Sequence, residues 1–191
     1  MARRKEFDKE EVLEKAMETF WRYGYEATSV QNLVENMGIN RGSLYDTFGD
    51  KHSLFQAAIA HYEQTVVKKA ISRLEASGAS KQAIIDHFYD LIERAVTDSQ
   101  RRGCLMTNSA VELSPHDPDT ASRIAANLQR IESAFKKALV RAKEQGEISS
   151  KHDINALASF LTCNLQGLRV ISKIKPDREF LRDIAGVTLS V

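Results

Sequence analysis

Arg41, Gly42, Ser43 and Tyr45 follow directly on a tight break, Gly38-Ile39-Asn40. Their side chains suit hydrogen bonding to a nucleic acid. An arginine forks onto O6 and N7 of guanine in the major groove, and a serine can serve either base or phosphate. Gly42 lets backbone approach the bases closely, and the Tyr45 hydroxyl can reach a phosphate. Thr28 and Ser29 precede this run, and Lys51 and His52 follow it. These put hydroxyl and cationic groups where two helices should begin, and helix N-termini attract phosphate. Arg3-Arg4-Lys5 adds a cationic arm suited to backbone or minor groove. Asp46 is discordant, because a carboxylate facing DNA repels phosphate unless it accepts from a cytosine amino group.

No comparable constellation supports catalysis. The histidines are His52, His61, His87, His116 and His152, with no His-Glu-x-x-His motif and no pair four residues apart. A glycine-rich phosphate loop and a nucleophile elbow are also missing. The expectation is therefore no enzyme, no cofactor and no metal site. The alternative is a small cytoplasmic helical enzyme with Cys104 as nucleophile and His116 as its base. Cys104 and Cys163 are the two cysteines. They form no disulfide framework and point to a reducing cytoplasm.

Charge alone says little. The 191 residues carry 27 basic and 26 acidic side chains, a net +1. The first fifty hold seven basic and ten acidic residues, a net −3. A nucleic-acid argument must rest on placement. Hydrophobic residues make up 42% and charged residues 28%, near the soluble average. No apolar run is long enough to span a membrane, and the charged N-terminus lacks the apolar stretch of a secretory signal.

The elements that must position these groups read as helices. Apolar residues recur at helical spacing nearly everywhere, which predicts an all-α fold of about nine helices. Asp8 caps the first, with Glu11 at capping-box spacing and Phe7 and Val12 as a staple. Leu13, Ala16, Met17, Phe20 and Trp21 stripe it, and Gly24 stops it. The second begins at Thr28 with Gln31 as its box partner, and Gly38 closes it. Asn40 caps a third that carries Leu44, Tyr45 and Phe48, and Asp50 caps a long fourth. Two short helices joined by a tight turn over 28–48 have helix-turn-helix spacing. Helices this short make poor members of an ordinary bundle.

The stretch Thr28–Val34, then Met37-Gly38-Ile39-Asn40-Arg41-Gly42-Ser43-Leu44-Tyr45-Asp46-Thr47-Phe48-Gly49-Asp50-Lys51, then Leu54-Phe55, resembles the N-terminal domain of the tetracycline-repressor-like (TetR) family. The resemblance covers about residues 8–60 and rests on a long glycine-hydrophobic-x-x-glycine-x-Leu-Tyr-x-x-Phe-x-x-Lys pattern. It implies a homodimeric regulator, usually a repressor, that a small ligand releases from a palindromic double-stranded DNA operator. The division expected is a DNA-binding domain over 1–50 and a helical ligand-binding and dimerisation domain over 51–191.

The second half is less explicit. Over 150–172, Ile154, Leu157, Ala158, Leu161, Leu165 and Leu168 make one apolar face. Ala156, Phe160, Cys163, Gly167, Val170 and Ile171 make another. A helix apolar on two sides is covered on two sides, so 150–172 and 177–191, with its stripe ending in Val191, are expected to form the homodimer interface. Candidate residues for sensing an unknown small molecule are Cys104, Asn108, Ser109, Glu112, Phe88 and Phe135. Cys104 follows Arg101-Arg102-Gly103 at a helix start, a setting that favours a thiolate and a reactive-species signal. Cys163, on an apolar helix face, is expected to react far more slowly.

Overall fold

The computed structural model describes residues 7–190, and among them no strand occurs. The helices are α1 (Lys9–Tyr23), α2 (Val30–Met37), α3 (Arg41–Phe48), α4 (Lys51–Tyr62), α5 (Lys68–Glu75), α6 (Lys81–Thr97), α7 (Leu105–Glu112), α8 (Pro118–Glu144), α9 (Ile154–Ile174) and α10 (Arg178–Leu189). A π-helical turn, Glu63–Val67, links α4 to α5 without a break. Residues 51–75 thus form one rod, and the described chain makes nine rods, in line with the sequence reading. The cationic arm Arg3-Arg4-Lys5 and Val191 lie outside the described residues.

Caps set the boundaries. Asp8 accepts from the backbone N–H of Glu10 and Glu11. The Glu11 carboxylate turns to Lys15 and does not return to the cap. For α2 the expected cap moves by one residue. The Thr28 hydroxyl donates back to the Gly24 carbonyl and is buried, so Ser29 is the first side chain free to cap. Ser29 and Asn32, where Gln31 was expected, close the reciprocal box. Gly38 ends α2 with φ +71°, a left-handed conformation that suits glycine. Asn40 then starts α3, accepting from Ser43 N–H at 2.8 Å.

One core runs through the chain. α1 packs on α4 and α2, and Phe20 meets Phe55 edge-on at 5.1 Å. α3 contributes a single fully buried residue, Leu44. Further along, α8 packs on α9 and α5, while α6 packs on α9 and α10. Phe88 and Phe135 are both sealed at the centre of this half, 6.0 Å apart. That corrects the expectation that they take part in sensing a ligand: both belong to the buried core, with the His87 ring edge-on to Phe135.

Candidate nucleic-acid interface

The outward face of α3 carries Arg41, Gly42, Tyr45 and Asp46, all exposed, while Ser43 is half-buried. Leu44 on the opposite side is wholly buried and fixes which face points out. Tyr45 is 44% exposed, so its ring belongs to the surface and not to the core. Arg41 forms no ion pair among the described residues, which leaves its guanidinium free for a base edge or phosphate. Asp46 shares the exposed face, so this surface carries one carboxylate beside the arginine.

The flanking candidates divide. Ser29 is exposed at the α2 N-terminus, with its hydroxyl committed to Asn32. Thr28 is 1% exposed, with its backbone N–H on the Tyr25 carbonyl, so its side chain has no route to a phosphate. Lys51 Nζ sits 4.2 Å from the Tyr25 ring centre, a cation–π contact that holds it beside the α4 N-terminus. His52 meets the edge of the same ring and lies 3.6 Å from Asp117. It therefore faces the second half of the chain as much as any outside partner. Tyr25 organises both groups. Sequence reasoning passed over it because it lies in the α1–α2 loop, outside any periodic stripe.

His52, Asp117 and Asp119 bring three potential metal-ligand atoms within 4.8 Å of one another. Asp117 already accepts from Asp119 N–H, Thr120 N–H and the Thr120 hydroxyl, so its first duty is capping α8.

Glu112 has a role that the sequence did not disclose. Its carboxylate accepts from the backbone N–H of Tyr25 at 3.1 Å and of Glu26 at 2.8 Å. It is a tie between α7 and the loop preceding α2, and it is not free to hold a ligand. Asn108 is similarly occupied: it donates to the Arg102 carbonyl and accepts from Lys173. Ser109 is buried inside α7.

A cavity of about 500 Å³ opens instead between α1, the π-turn, α6, the 98–103 loop and α9. Trp21, Tyr62, Val66, Val67 and Leu91 supply apolar wall, and Arg94, Arg101, Arg102, Arg169 and Lys173 supply cations. None of the six sensing candidates lines it. The loop is tightly built: Asp98 accepts from the N–H of Gln100 and Arg102. Arg101 has φ +51°, and no other non-glycine among the described residues has positive φ. Such outliers concentrate at ligand sites, as do π-turns like the one that presents Val66 and Val67.

Cys104 stands behind this wall and is 4% exposed. Burial pushes its thiol up, yet the Arg169 charge and hydrogen bonds from Thr107 and Tyr62 bring it below its ordinary value. Cys163, expected to react far more slowly than Cys104, is exposed in the protomer, on the apolar face of α9 that also exposes Phe160 and Val170. Sequence reasoning also missed Arg169, although a signal existed. It is the sole charged residue between Asp153 and Lys173.

Comparison with known proteins agrees with this architecture. Residues 12–58 match the family model "Bacterial regulatory proteins, tetR family", and 78–185 match "Tetracyclin repressor-like, C-terminal domain". The chain is 41% identical to an HTH-type transcriptional regulator of Bacillus subtilis (strain 168), YezE, covering 100% of this chain and 99% of that protein. It is 34% identical to the HTH-type transcriptional repressor ComR of Escherichia coli (strain K12), covering 98% and 90%. Among solved structures, a cysteine mutant of the TetR family regulator CifR, complexed with 26-bp double-strand operator DNA, superposes with a TM-score of 0.87. The identity there is 29%, over 98% of each chain. No helix among the described residues is long and apolar enough to cross a membrane. A capped helix-turn-helix with an outward Arg41, joined to a helical C-terminal half, and these matches across both halves place the chain in the TetR family of dimeric, DNA-binding transcriptional regulators.

Proposed function

We propose that the protein is a cytoplasmic repressor, without catalytic activity, that binds a palindromic operator as a homodimer. In this reading residues 1–50 hold the DNA and residues 51–191 hold the partner and the effector. The observation that carries it is the outward face of α3, where Arg41, Gly42 and Tyr45 stand exposed on a helix anchored by Leu44. A gel shift with the DNA upstream of the protein's own gene tests it. Arg41→Ala should lose about 1–3 kcal/mol on the specific site. Unchanged affinity would remove α3 from the groove.

The partner surface is the uncovered face of α9 and α10. Phe160, Val170, Ile174 and Val187 are exposed there, by 43%, 46%, 73% and 75%. Contiguous exposed apolar groups mark an interaction site. A Cβ added at Gly167 would meet nothing within 4 Å in the protomer beyond its own helix backbone. Gly167→Leu should therefore weaken self-association in sedimentation while sparing the protomer's fold.

Release runs through α7. Its N-cap residue, Cys104, follows Gly103 of the cavity wall, and its last residue, Glu112, grips the loop that leads into α2. A ligand that shifts one end of α7 moves the other, and it favours release only if it binds the DNA-free arrangement better. A reactive-species signal is favoured by the lowered Cys104 thiol and opposed by its burial, at 4% exposure. Thiol labelling compared between Cys104→Ser and Cys163→Ser, with operator affinity before and after, tests that route. Labelled Cys104 with unchanged DNA binding would end it.

A further inference from the structure

We infer that the cavity between α1, α6 and α9 takes a small organic carboxylate with an apolar body, its charge on Arg169 and Arg94. This rests on the reading above that the cavity is the effector site, and it names the chemical class of the effector.

The cavity's charges do not balance. Its wall carries Arg94, Arg101, Arg102, Arg169 and Lys173 against one carboxylate, Asp98. Arg102 is satisfied: it pairs with Asp98 at 3.3 Å and with Glu18 at 3.2 Å, and it covers the Trp21 ring at 4.2 Å. The other four form no ion pair among the described residues. Arg169 donates only to the Gln166 side-chain carbonyl, at 3.1 Å, and Lys173 only to Asn108. A half-buried guanidinium is costly to hold without an anion, because desolvation is then uncompensated.

Neighbouring groups report the same excess. Arg94 is lowered first by burial and then by the Arg169 and Arg73 charges, even with Asp90 and Tyr62 opposing. Burial and then the Arg169 charge bring His87 down to about 4, with Arg94 adding to the effect. Cys104 is lowered by Arg169 against its own burial.

The remaining wall decides what kind of anion fits. Tyr62, Val67 and Leu91 are only 3%, 4% and 7% exposed, and with Trp21, Val66 and Ala95 they form an apolar lining. A volume of about 500 Å³ lies within the range of small-ligand sites. A planar carboxylate matches the two-pronged arginine fork. A doubly charged phosphate would leave charge against the apolar lining.

The full-length protein and defined probes test this: hexanoate, octanoate and 3-phenylpropionate, each beside its primary amide and the octyl phosphate. Trp21, the chain's one tryptophan, lies in the wall and reports occupancy by its fluorescence. At least one carboxylate should give a saturable change, with its amide about tenfold weaker or more. Arg169→Gln should weaken that carboxylate about tenfold, and Arg169→Lys, which keeps the charge, by less. Arg94→Gln, at the rim, should weaken it several-fold without disturbing helicity by circular dichroism. Amides or octyl phosphate binding as well as the carboxylates would overturn the inference. So would a folded Arg94→Gln or Arg169→Gln protein with unaltered affinity, or no saturable change with any carboxylate at about 10 mM. The operator assay is read separately. Saturable carboxylate binding with unchanged operator affinity supports the inference and overturns the release reading. Release by a neutral compound, with no Trp21 response to any carboxylate, supports release and overturns the anion class.

Discussion

The two halves of the molecule hold their arginines in opposite ways. On α3, Arg41 stands in water on the helix's exposed face, opposite a single buried leucine. In the C-terminal half, Arg169 and Arg102 turn inward, beside Trp21 and Tyr62. An outward cation is held ready for a long polyanion whose own counterions it displaces, so it adds affinity that salt weakens. An inward cation is already desolvated and discriminates by size and charge. On the two proposals above, one chain carries two anion sites of different scale. The tie from Glu112 to Tyr25 and Glu26 lies between them.

The largest expected effect breaks the outward site at its anchor. Leu44→Ala should cost about 2–5 kcal/mol in chemical denaturation, because α3 has no other fully buried side chain to hold it. An unchanged denaturation midpoint would show that α3 is held by its caps alone.

Next in size is a pH effect in the C-terminal core, at a histidine that the Arg169 charge reaches. His87 is 2% exposed, with Nδ1–H donating to the Ala70 carbonyl, and it titrates at about 4 against 6.5 when unperturbed. Between those values the unfolded chain binds a proton that the folded chain refuses. Stability from this group is complete above pH 6.5 and falls as pH drops toward about 4, by up to about 3 kcal/mol. His87→Gln should flatten the curve of stability against pH in that window. A parallel curve would assign the acid loss to other groups.

Smaller again is the link between the sites. Glu112→Ala should cost about 1–2 kcal/mol of stability by freeing two backbone donors, both near water. Operator affinity measured with and without an effector should then respond less than in the parent protein. An undiminished response would move the coupling elsewhere, for instance to the Gln56–Thr120 contact between α4 and α8.

The smallest effect belongs to Lys51. Lys51→Ala should weaken every duplex about equally and lower the salt slope by about one per protomer. A change in base preference would place Lys51 in a groove and not on a backbone.

The outward site was largely legible in the sequence, because its information is local. Asn40, Arg41, Leu44 and Gly49 lie within one short helix and its caps, and cap, turn and anchor chemistry act over three or four residues. The inward site was not. Trp21, Tyr62, Arg94 and Arg169 come from helices scattered across the chain, and each looks like an ordinary helical residue beside its neighbours. Phe88 and Phe135 illustrate the same limit: both are sensing candidates by sequence, and an apolar residue type alone does not separate a core from a cavity wall. Thr28 shows a finer one, since a hydroxyl that turns back one turn yields the cap to the next residue, Ser29.

Whether α3 reads a two-fold operator is tested most directly by selection of tight binders from random duplexes by the full-length protein. The enriched sequences should be palindromic, with half-site centres a multiple of about 10 base pairs apart. Each half-site should hold a guanine whose enrichment disappears when Arg41→Ala is put through the same selection. Enriched sequences without symmetry, or a guanine preference that survives the loss of Arg41, would contradict that reading.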